Sequence, residues 1–423
     1  ENADRHAGSA IGSGFPERSG LGTTSATSCV SLSVTAAVRR RVLAVVTAGN
    51  FAQLGVRFVI GPIVPLVLVE FDATNAGVGT ALTAMWAVYA LAQFPSGVLA
   101  DRFGERRLLL TGLGGTLLGA AAVALAPSLV LFGAALVVLG AGTGLFFSPG
   151  SSLLSRVYDE HGGALSALTA GGALAGVVFP AGAGLVGVRY GWRVAVAAAA
   201  LVALPVVLAT LVVVPKTPPP APDRGLSELL NVSRIVGLLR RPSLAYTTGI
   251  SVFTGFTFQA ISSFLPTFMV QYRGVGTETA GLLFAVVFGI SAVAQPTAGR
   301  LSDAVSRDFA IGLSAALSAT AFAVLLSVDG QLGLYAGTVL LGAGISWPGT
   351  VQARVMDQLS DSERGFGFGL VRTVYMLLAA SGSVVVGWLA DTGGWVPAYG
   401  VVILLLMGCL LALGTNRALG LEL

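Results

Sequence analysis

Apolar residues run through this chain in blocks too long for a soluble core. Leu108–Phe147 and Val194–Val214 contain no charged residue, and each matches or exceeds the roughly 20 residues a helix needs to cross a bilayer. Similar blocks of Leu, Ala, Val and Gly recur along the chain, separated by short stretches rich in Arg, Asp, Pro or Gly. They lack the polar–apolar alternation of a membrane barrel. The pattern therefore predicts an all-α membrane protein with twelve transmembrane spans, at 42–69, 76–100, 108–126, 129–155, 163–188, 193–214, 243–270, 278–299, 309–327, 331–354, 365–390 and 396–414.

The spans fall into two blocks. Residues 1–37 are rich in Ser, Gly, Thr and Ala and read as a disordered cytoplasmic tail. A first six-helix half covers 38–214 and a second covers 243–415, with a cytoplasmic tail at 416–423. The linker 215–242 opens on Pro215-Lys-Thr-Pro-Pro-Pro-Ala-Pro222, which cannot continue a helix. Leu226–Arg241 then carries Leu229, Leu230, Ile235 and Leu238 among polar and charged residues, the pattern of an amphipathic helix lying on the membrane surface.

The halves are related by a repeat. Ala90-Leu-Ala-Gln-Phe-Pro-Ser-Gly-Val-Leu-Ala-Asp101 returns 202 positions later as Ala292-Val-Ala-Gln-Pro-Thr-Ala-Gly-Arg-Leu-Ser-Asp303, identical at six of twelve positions. Pro65 with Glu70-Phe71 matches Pro266 with Gln271-Tyr272, and Leu139-Gly-Ala-Gly142 matches Leu341-Gly-Ala-Gly344. Arg156-Val-Tyr-Asp159 matches Arg354-Val-Met-Asp357, and Gly191-Trp192 matches Gly394-Trp395. Parallel repeats of this kind build many secondary transporters.

Charge placement supports the layout. With twelve spans, 19 of the 24 Lys and Arg residues fall on the face that holds both chain ends. Arg189, Arg193 and Arg273 fall on the other face, and Arg57 and Arg372 lie within spans. The positive-inside rule then makes the arginine-rich face cytoplasmic and the protein a multi-pass cell-membrane protein.

Composition narrows the classes. The chain is 54% hydrophobic and 10% charged, against about 25% charged in soluble domains. Its net charge of +4 reflects membrane topology and implies no nucleic-acid partner. Cys29 and Cys409 sit at opposite ends, and His6 and His161 lie in the tail and a loop, so neither a disulfide framework nor a metal-ligand spacing exists. No nucleophile–base pair, cofactor motif or GxxxxGK[ST] loop is present, which argues against an enzyme and predicts no cofactor. Gly112–Gly119 and Gly365–Gly369 read as close helix packing. The expected partners are a small-molecule substrate and the lipid bilayer, with a monomeric state.

Gly97-Val-Leu-Ala-Asp-Arg-Phe-Gly-Glu-Arg-Arg107 resembles the signature loop between helices 2 and 3 of the major facilitator superfamily, G-x-L-a-D-R-x-G-R-[KR]. It departs from that form at Glu105, where a basic residue is common. A degraded copy, Gly299-Arg-Leu-Ser-Asp303 with Arg307, lies between spans 8 and 9, and the resemblance covers residues 40–415. It implies alternating access, with the halves rocking around a central site. It also implies a latch on the cytoplasmic side, made of Gly97, Asp101, Arg102, Gly104, Arg106 and Arg107 with Gly299, Asp303 and Arg307. Gly97 would let a neighbouring helix approach closely, and Asp101 would accept from arginines and from a facing helix N-terminus. The alternative reading is that these charges only anchor loops and set topology.

Substrate candidates follow from what lies inside the membrane. No Asp, Glu, Lys or His sits deep in any span. Arg57 lies about 22 Å along span 1 and Arg372 about 10 Å into span 11. Burying each costs at least about 2.5–3.5 kcal/mol, so each is a functional candidate by default. Arg57 corresponds by the repeat to Phe258 or Gln259, and Arg372 to Ala170, so neither belongs to the duplicated scaffold. Asn50 and Arg57 share a helical face, with Gln53 nearby. Gln259, Trp347, Tyr89 and Tyr375 are further cavity candidates, each with a packing alternative.

Two interior cations without an interior anion want an oxyanion partner. The leading expectation is exchange or facilitated transport of a small organic or inorganic anion. Span 4, Val130–Ser155, lacks the arginine motif of drug–proton antiporters, and Phe179 replaces the glycine before Pro180 in span 5. Efflux of neutral or lipophilic compounds is the alternative within transport. A non-transporting sensor derived from a transporter is the alternative outside it, and Arg372 as a gate residue stays open.

Overall fold

The computed structural model describes residues 36–158, 162–216, 219, 222, 237–360 and 363–421. Residues 1–35 of the tail expected at 1–37, and most of the expected amphipathic linker helix, lie outside the described residues; Ala36 and Ala37 open α1. Those described fold into sixteen helices that make twelve passes. The first half contains α1 (Ala36–Phe58), α2 (Ile60–Glu70), α3 (Asn75–Phe103), α4 (Glu105–Ala124), α5 (Leu129–Gly144), α6 (Phe147–Val157), α7 (Gly162–Tyr190) and α8 (Trp192–Val213). The second contains α9 (Pro242–Gln271), α10 (Thr277–Ala304), α11 (Arg307–Ser327), α12 (Gly330–Gly344), α13 (Pro348–Asp357), α14 (Arg364–Ala379), α15 (Ser381–Gly393) and α16 (Trp395–Leu419).

Four of the twelve expected spans are broken, each for a local reason. Pro62, Pro149 and Pro348 have no N–H, so the carbonyls four residues earlier (Phe58, Leu145 and Gly344) lose their helical donors. The breaks between α1 and α2, α5 and α6, and α12 and α13 fall at these points. The fourth break has a different cause. The Thr83 hydroxyl of α3 donates to the Ala380 carbonyl at 3.0 Å and accepts from Val384 N–H at 3.0 Å. It has inserted itself into the bond these two groups would otherwise make, and the span divides there into α14 and α15.

Among the described residues, ten helical segments are long and apolar enough to cross a membrane by themselves. The two passes that fail that measure are α9 and α12–α13, and α9 shows why a polar span is tolerated. It buries Thr247, Thr248, Ser251, Thr254, Thr257, Gln259, Ser262, Ser263 and Thr267, away from lipid. Four of its hydroxyls donate back to carbonyls four residues earlier: Thr248 to Leu244, Ser251 to Thr247, Thr254 to Ile250 and Thr257 to Phe253.

The repeat is visible as paired contacts. Trp192 Nε1 donates to Glu70 at 2.5 Å, and Trp395 Nε1 donates to Gln271 at 3.2 Å. Gly191 and Gly394, which precede these tryptophans, have φ of 90° and 82°, a region that favours glycine. At the other face Glu105, 0% exposed, pairs with Arg156 at 2.6 Å, and Asp308 pairs with Arg354. Both ion pairs join the first turn of one pass to the end of the next within the same half.

The halves meet along three seams. On the face opposite the arginine-rich one, α3 packs on α15 and α7 on α10, and deeper in the bundle α2 packs on α9. Each seam carries a glycine set against backbone: a Cβ on Gly79 would lie 2.6 Å from the Ser383 carbonyl oxygen, and one on Gly61 2.5 Å from that of Ser262. Gly184 and Gly281 face each other directly. Toward the arginine-rich face α7 and α10 part. A cleft of about 600 Å³ opens there, lined by Thr169, Ala173 and Val177 from α7 and by Ala292, Gln295 and Pro296 from α10.

Candidate functional site

Arg57 is the penultimate residue of α1, directly before the break set by Pro62. It is 6% exposed. Its guanidinium carbon lies 4.1 Å from the Tyr89 ring centroid and 4.5 Å from that of Trp86, both on α3. Such contacts contribute about 2 kcal/mol each when desolvated, enough to hold a cation inside the membrane without a carboxylate. Among the described residues its Nε and Nη1 find no hydrogen-bond partner.

Arg372 reaches the same tyrosine from the other half. Its guanidinium lies over the Phe147 ring of α6 at 5.3 Å, and its Nε is also without a partner. Both guanidiniums lie within reach of the Tyr89 hydroxyl. Tyr375, one turn beyond Arg372, stands beside Arg372 and Tyr89. Among the described residues neither Arg57 nor Arg372 forms an ion pair, whereas Arg156, Arg193, Arg241, Arg307 and Arg354 all do.

Aromatic rings from both halves close over this group. Trp86 meets Phe258 at 6.4 Å between centroids, Phe258 meets Phe288 at 6.1 Å, and Phe288 meets Phe58 at 4.9 Å. At the offset of 201 that pairs Pro65 with Pro266 in the same span, Phe258 occupies the repeat position of Arg57, so both related side chains meet Trp86. Two fixed cations beside one tyrosine, one buried and one half-buried, and walled by rings, can hold an oxyanion and orient an apolar body attached to it.

Four of the expected binding residues, Arg57, Arg372, Tyr89 and Tyr375, are thus brought together. Asn50 is not among them: its amide donates to the Leu168 carbonyl at 2.7 Å, tying α1 to α7, and accepts from Gln53 at 2.9 Å. Gln53 keeps an unpartnered oxygen. Gln259 packs against α15 at Gly382, and Trp347 sits at the α12–α13 break within the hydrophobic core. Sequence reasoning missed Trp86, three residues before Tyr89 on the same helical face, and Phe147. It also missed Thr247, Ser262 and Thr267 of α9, whose buried hydroxyls find no hydrogen-bond partner among the described residues. The sequence signal for these was the low apolarity of span 7.

The expected latch residues are distributed as follows. Gly104 has φ of 91° and makes the sharp turn between α3 and α4. Arg106 donates to the Leu211 carbonyl at the end of α8, Arg102 lies over Phe103, and the Arg107 side chain is exposed. Arg307 pairs with Asp303 and, at 3.0 Å, with Asp357. A Cβ on Gly97 or Gly299 would meet nothing within 4 Å. The close helix approach expected at Gly97 is therefore absent in this conformation, because the tight backbone contacts between halves lie on the opposite face. Glu105, first noted only as a departure from the signature, is the buried anion of the loop, held by Arg156 and approached by Ser152 at 3.5 Å.

Comparison with known proteins places this architecture. Two curated relatives, each named multidrug resistance protein MdtG, come from Dickeya zeae (strain Ech586) and Yersinia enterocolitica. They share 28% identity over 167 residues and 27% over 161. These matches use 38% and 37% of this chain, which spans 40% and 39% of the relatives' lengths. Among solved structures, the nucleoside transporter NupG superposes with a TM-score of 0.76 at 12% identity, covering 89% of this chain and 99% of that one. A bacterial homologue of the human lysosomal transporter Spinster, in an inward-facing and occupied conformation, gives 0.72 at 16% identity over 90% and 97%. The human organic anion transporter MFSD10 (TETRAN) gives 0.66 at 18% over 89% and 99%. The Major Facilitator Superfamily model matches residues 46–291 and 247–418, and with this match, the twelve passes and the duplicated halves, the chain belongs to the Major Facilitator Superfamily of transporters.

Proposed function

We propose that this transporter carries a small organic anion, held between Arg57 of the first half and Arg372 of the second, by exchange or facilitated transport. The observation that supports this most is the convergence on one tyrosine of two guanidiniums that have no acidic partner among the described residues. The aromatic walls favour an organic over an inorganic anion, because a bare sulfate or phosphate has no apolar body to set against them. The absence of a described carboxylate beside either arginine favours exchange over proton antiport. The arginine-rich face is read as cytoplasmic, with both termini there, the protein as a monomer in the cell membrane, and the site as non-catalytic.

Counterflow in liposomes tests the reading. Purified protein is loaded with unlabelled carboxylates, phosphate or sulfate, and uptake of the labelled anion is compared between wild type and Arg57→Ala. Anion uptake that depends on Arg57 is expected; anion uptake unchanged by the substitution would sink the proposal. A second reading, efflux of lipophilic compounds, is favoured by the two relatives named for multidrug resistance. Dye efflux without flux of any anion would select it.

A further inference from the structure

The segment Gly387-Trp-Leu-Ala-Asp391, at the end of α15, repeats Gly97-Val-Leu-Ala-Asp101, at the end of α3, in four of five positions. The copy at α15 lies on the opposite face of the bundle, where the halves touch. Asp391 accepts from Asn75 N–H at 3.1 Å, from Asn75 Nδ2 at 2.8 Å and from Ala76 N–H at 2.7 Å. The two backbone donors are the first of α3, groups that a helix leaves without internal partners and that carry its positive end. A carboxylate of the second half therefore caps a helix of the first.

The surrounding backbone is fitted to this cap. A Cβ on Gly387 would fall 2.4 Å from the Asn75 carbonyl oxygen, and one on Gly79 2.6 Å from that of Ser383. Two turns into α3, the Thr83 hydroxyl occupies the opened bond between Ala380 and Val384. The hydrogen bonds of the Asp391 carboxylate and of the Thr83 hydroxyl all cross between halves. Asp391 is exposed while Asn75 is 8% exposed, so water can replace the carboxylate when the contact lets go. Below the strip, Ser262 is buried against Gly61, and its hydroxyl has no partner among the described residues.

We infer that Asp391 and Thr83 form the gate that seals the central site on the face opposite the arginine-rich one. Asp391 is the bolt and Thr83 the pivot at which α14 and α15 bend apart. Release of the bolt separates the start of α3 from α15 and opens a path to the site from that face. The gate is independent of which solute occupies the site.

The test reads conformation directly. In a Cys29→Ser, Cys409→Ser background, Ser262→Cys reports opening through its rate of modification by a charged methanethiosulfonate reagent. Asp391→Asn and Thr83→Val should each raise that rate roughly tenfold, the equilibrium change expected from losing one charge-assisted or buried hydrogen bond, and Asp391→Glu should raise it less. Asp329→Asn, a same-face carboxylate that makes no cap, should leave it unchanged. Spin labels at Val69 and Val396, exposed residues of different halves on that face, give a second readout: their distance distribution should gain a longer component in Asp391→Asn. Unchanged labelling and distances in a folded Asp391→Asn protein would overturn the gate. So would a lowered unfolding temperature with both readouts unchanged, which would leave Asp391 a purely structural role.

Discussion

The two halves use the same scaffold and differ where the solute would sit. In each, a tryptophan after a positive-φ glycine donates to an acceptor at the end of the half's first pass: Trp192 to Glu70, Trp395 to Gln271. In each, an acid in the first turn of the third pass holds an arginine near the end of the fourth: Glu105 with Arg156, Asp308 with Arg354. At the centre the likeness stops. Arg57 stands against Trp86 on one side of the pseudo-twofold axis, and Phe258 on the other. Duplication supplies a frame that satisfies its own charges, and the site is made where one copy has abandoned the pattern.

The strongest way to break this comparison is to make the halves alike. Arg57→Phe, which copies the second half, and Arg57→Ala should each lower anion counterflow roughly 100-fold, the loss expected for a desolvated charge-assisted pair. Arg372→Ala should cost about tenfold, because its half-buried guanidinium already shares its charge with solvent. Retention of full flux in all three would show that the asymmetry has no bearing on transport.

A smaller effect separates the two scaffold ion pairs. Asp308→Ala takes an anion from Arg354, whose side chain is 8% exposed, whereas Glu105→Ala takes one from Arg156, which is 33% exposed and can turn to water. Asp308→Ala should therefore cost about 2 kcal/mol of stability and Glu105→Ala about 1, after allowance for partial exposure. Unfolding midpoints in detergent measure both, and the reverse order would contradict the burial argument. Smaller still, Trp192→Phe and Trp395→Phe each remove one indole hydrogen bond. The first should cost more, about 1.5 against about 0.7 kcal/mol, because its acceptor is charged.

The smallest effect concerns Glu363, which has no described repeat partner. Arg241 binds it at 2.6 and 2.9 Å, and with Ser360 holds its carboxyl down from 4.5 to about 2. A depressed carboxylate stabilises the folded state above its ordinary value and loses that contribution as protons return. The pair should therefore persist at pH 4.5 and dissolve only as pH falls toward about 2. Titration of Glu363 by carbonyl infrared difference against Glu363→Gln reads this directly.

Most of the frame was legible in the sequence because lipid imposes one rule on every span: long, apolar and helical. The twelve passes, the repeat, and Arg57 with Arg372 followed from that rule and from its two most costly violations. The breaks in the spans at prolines were legible in principle. The break at Ala380 was not, because its cause, Thr83, lies 297 positions away. Asn50 reads as a binding residue by its polarity, yet spends it on the Leu168 carbonyl. The meeting of Arg57 with Arg372 at Tyr89 likewise depends on how two distant helices cross, which periodicity along a single chain does not encode.

The glycines along the seams have a mechanical consequence. Where Gly61, Gly79, Gly184 and Gly387 meet backbone of the other half, no side chains mesh as gear teeth do. Surfaces of this kind slide without first being lifted out of register, so they behave as plain bearings with low friction. The same fit leaves no clearance, since one added methyl would jam the joint. Ease of sliding and intolerance of sequence change are thus two results of one fit, and the surfaces that slide most freely should also be the slowest to evolve.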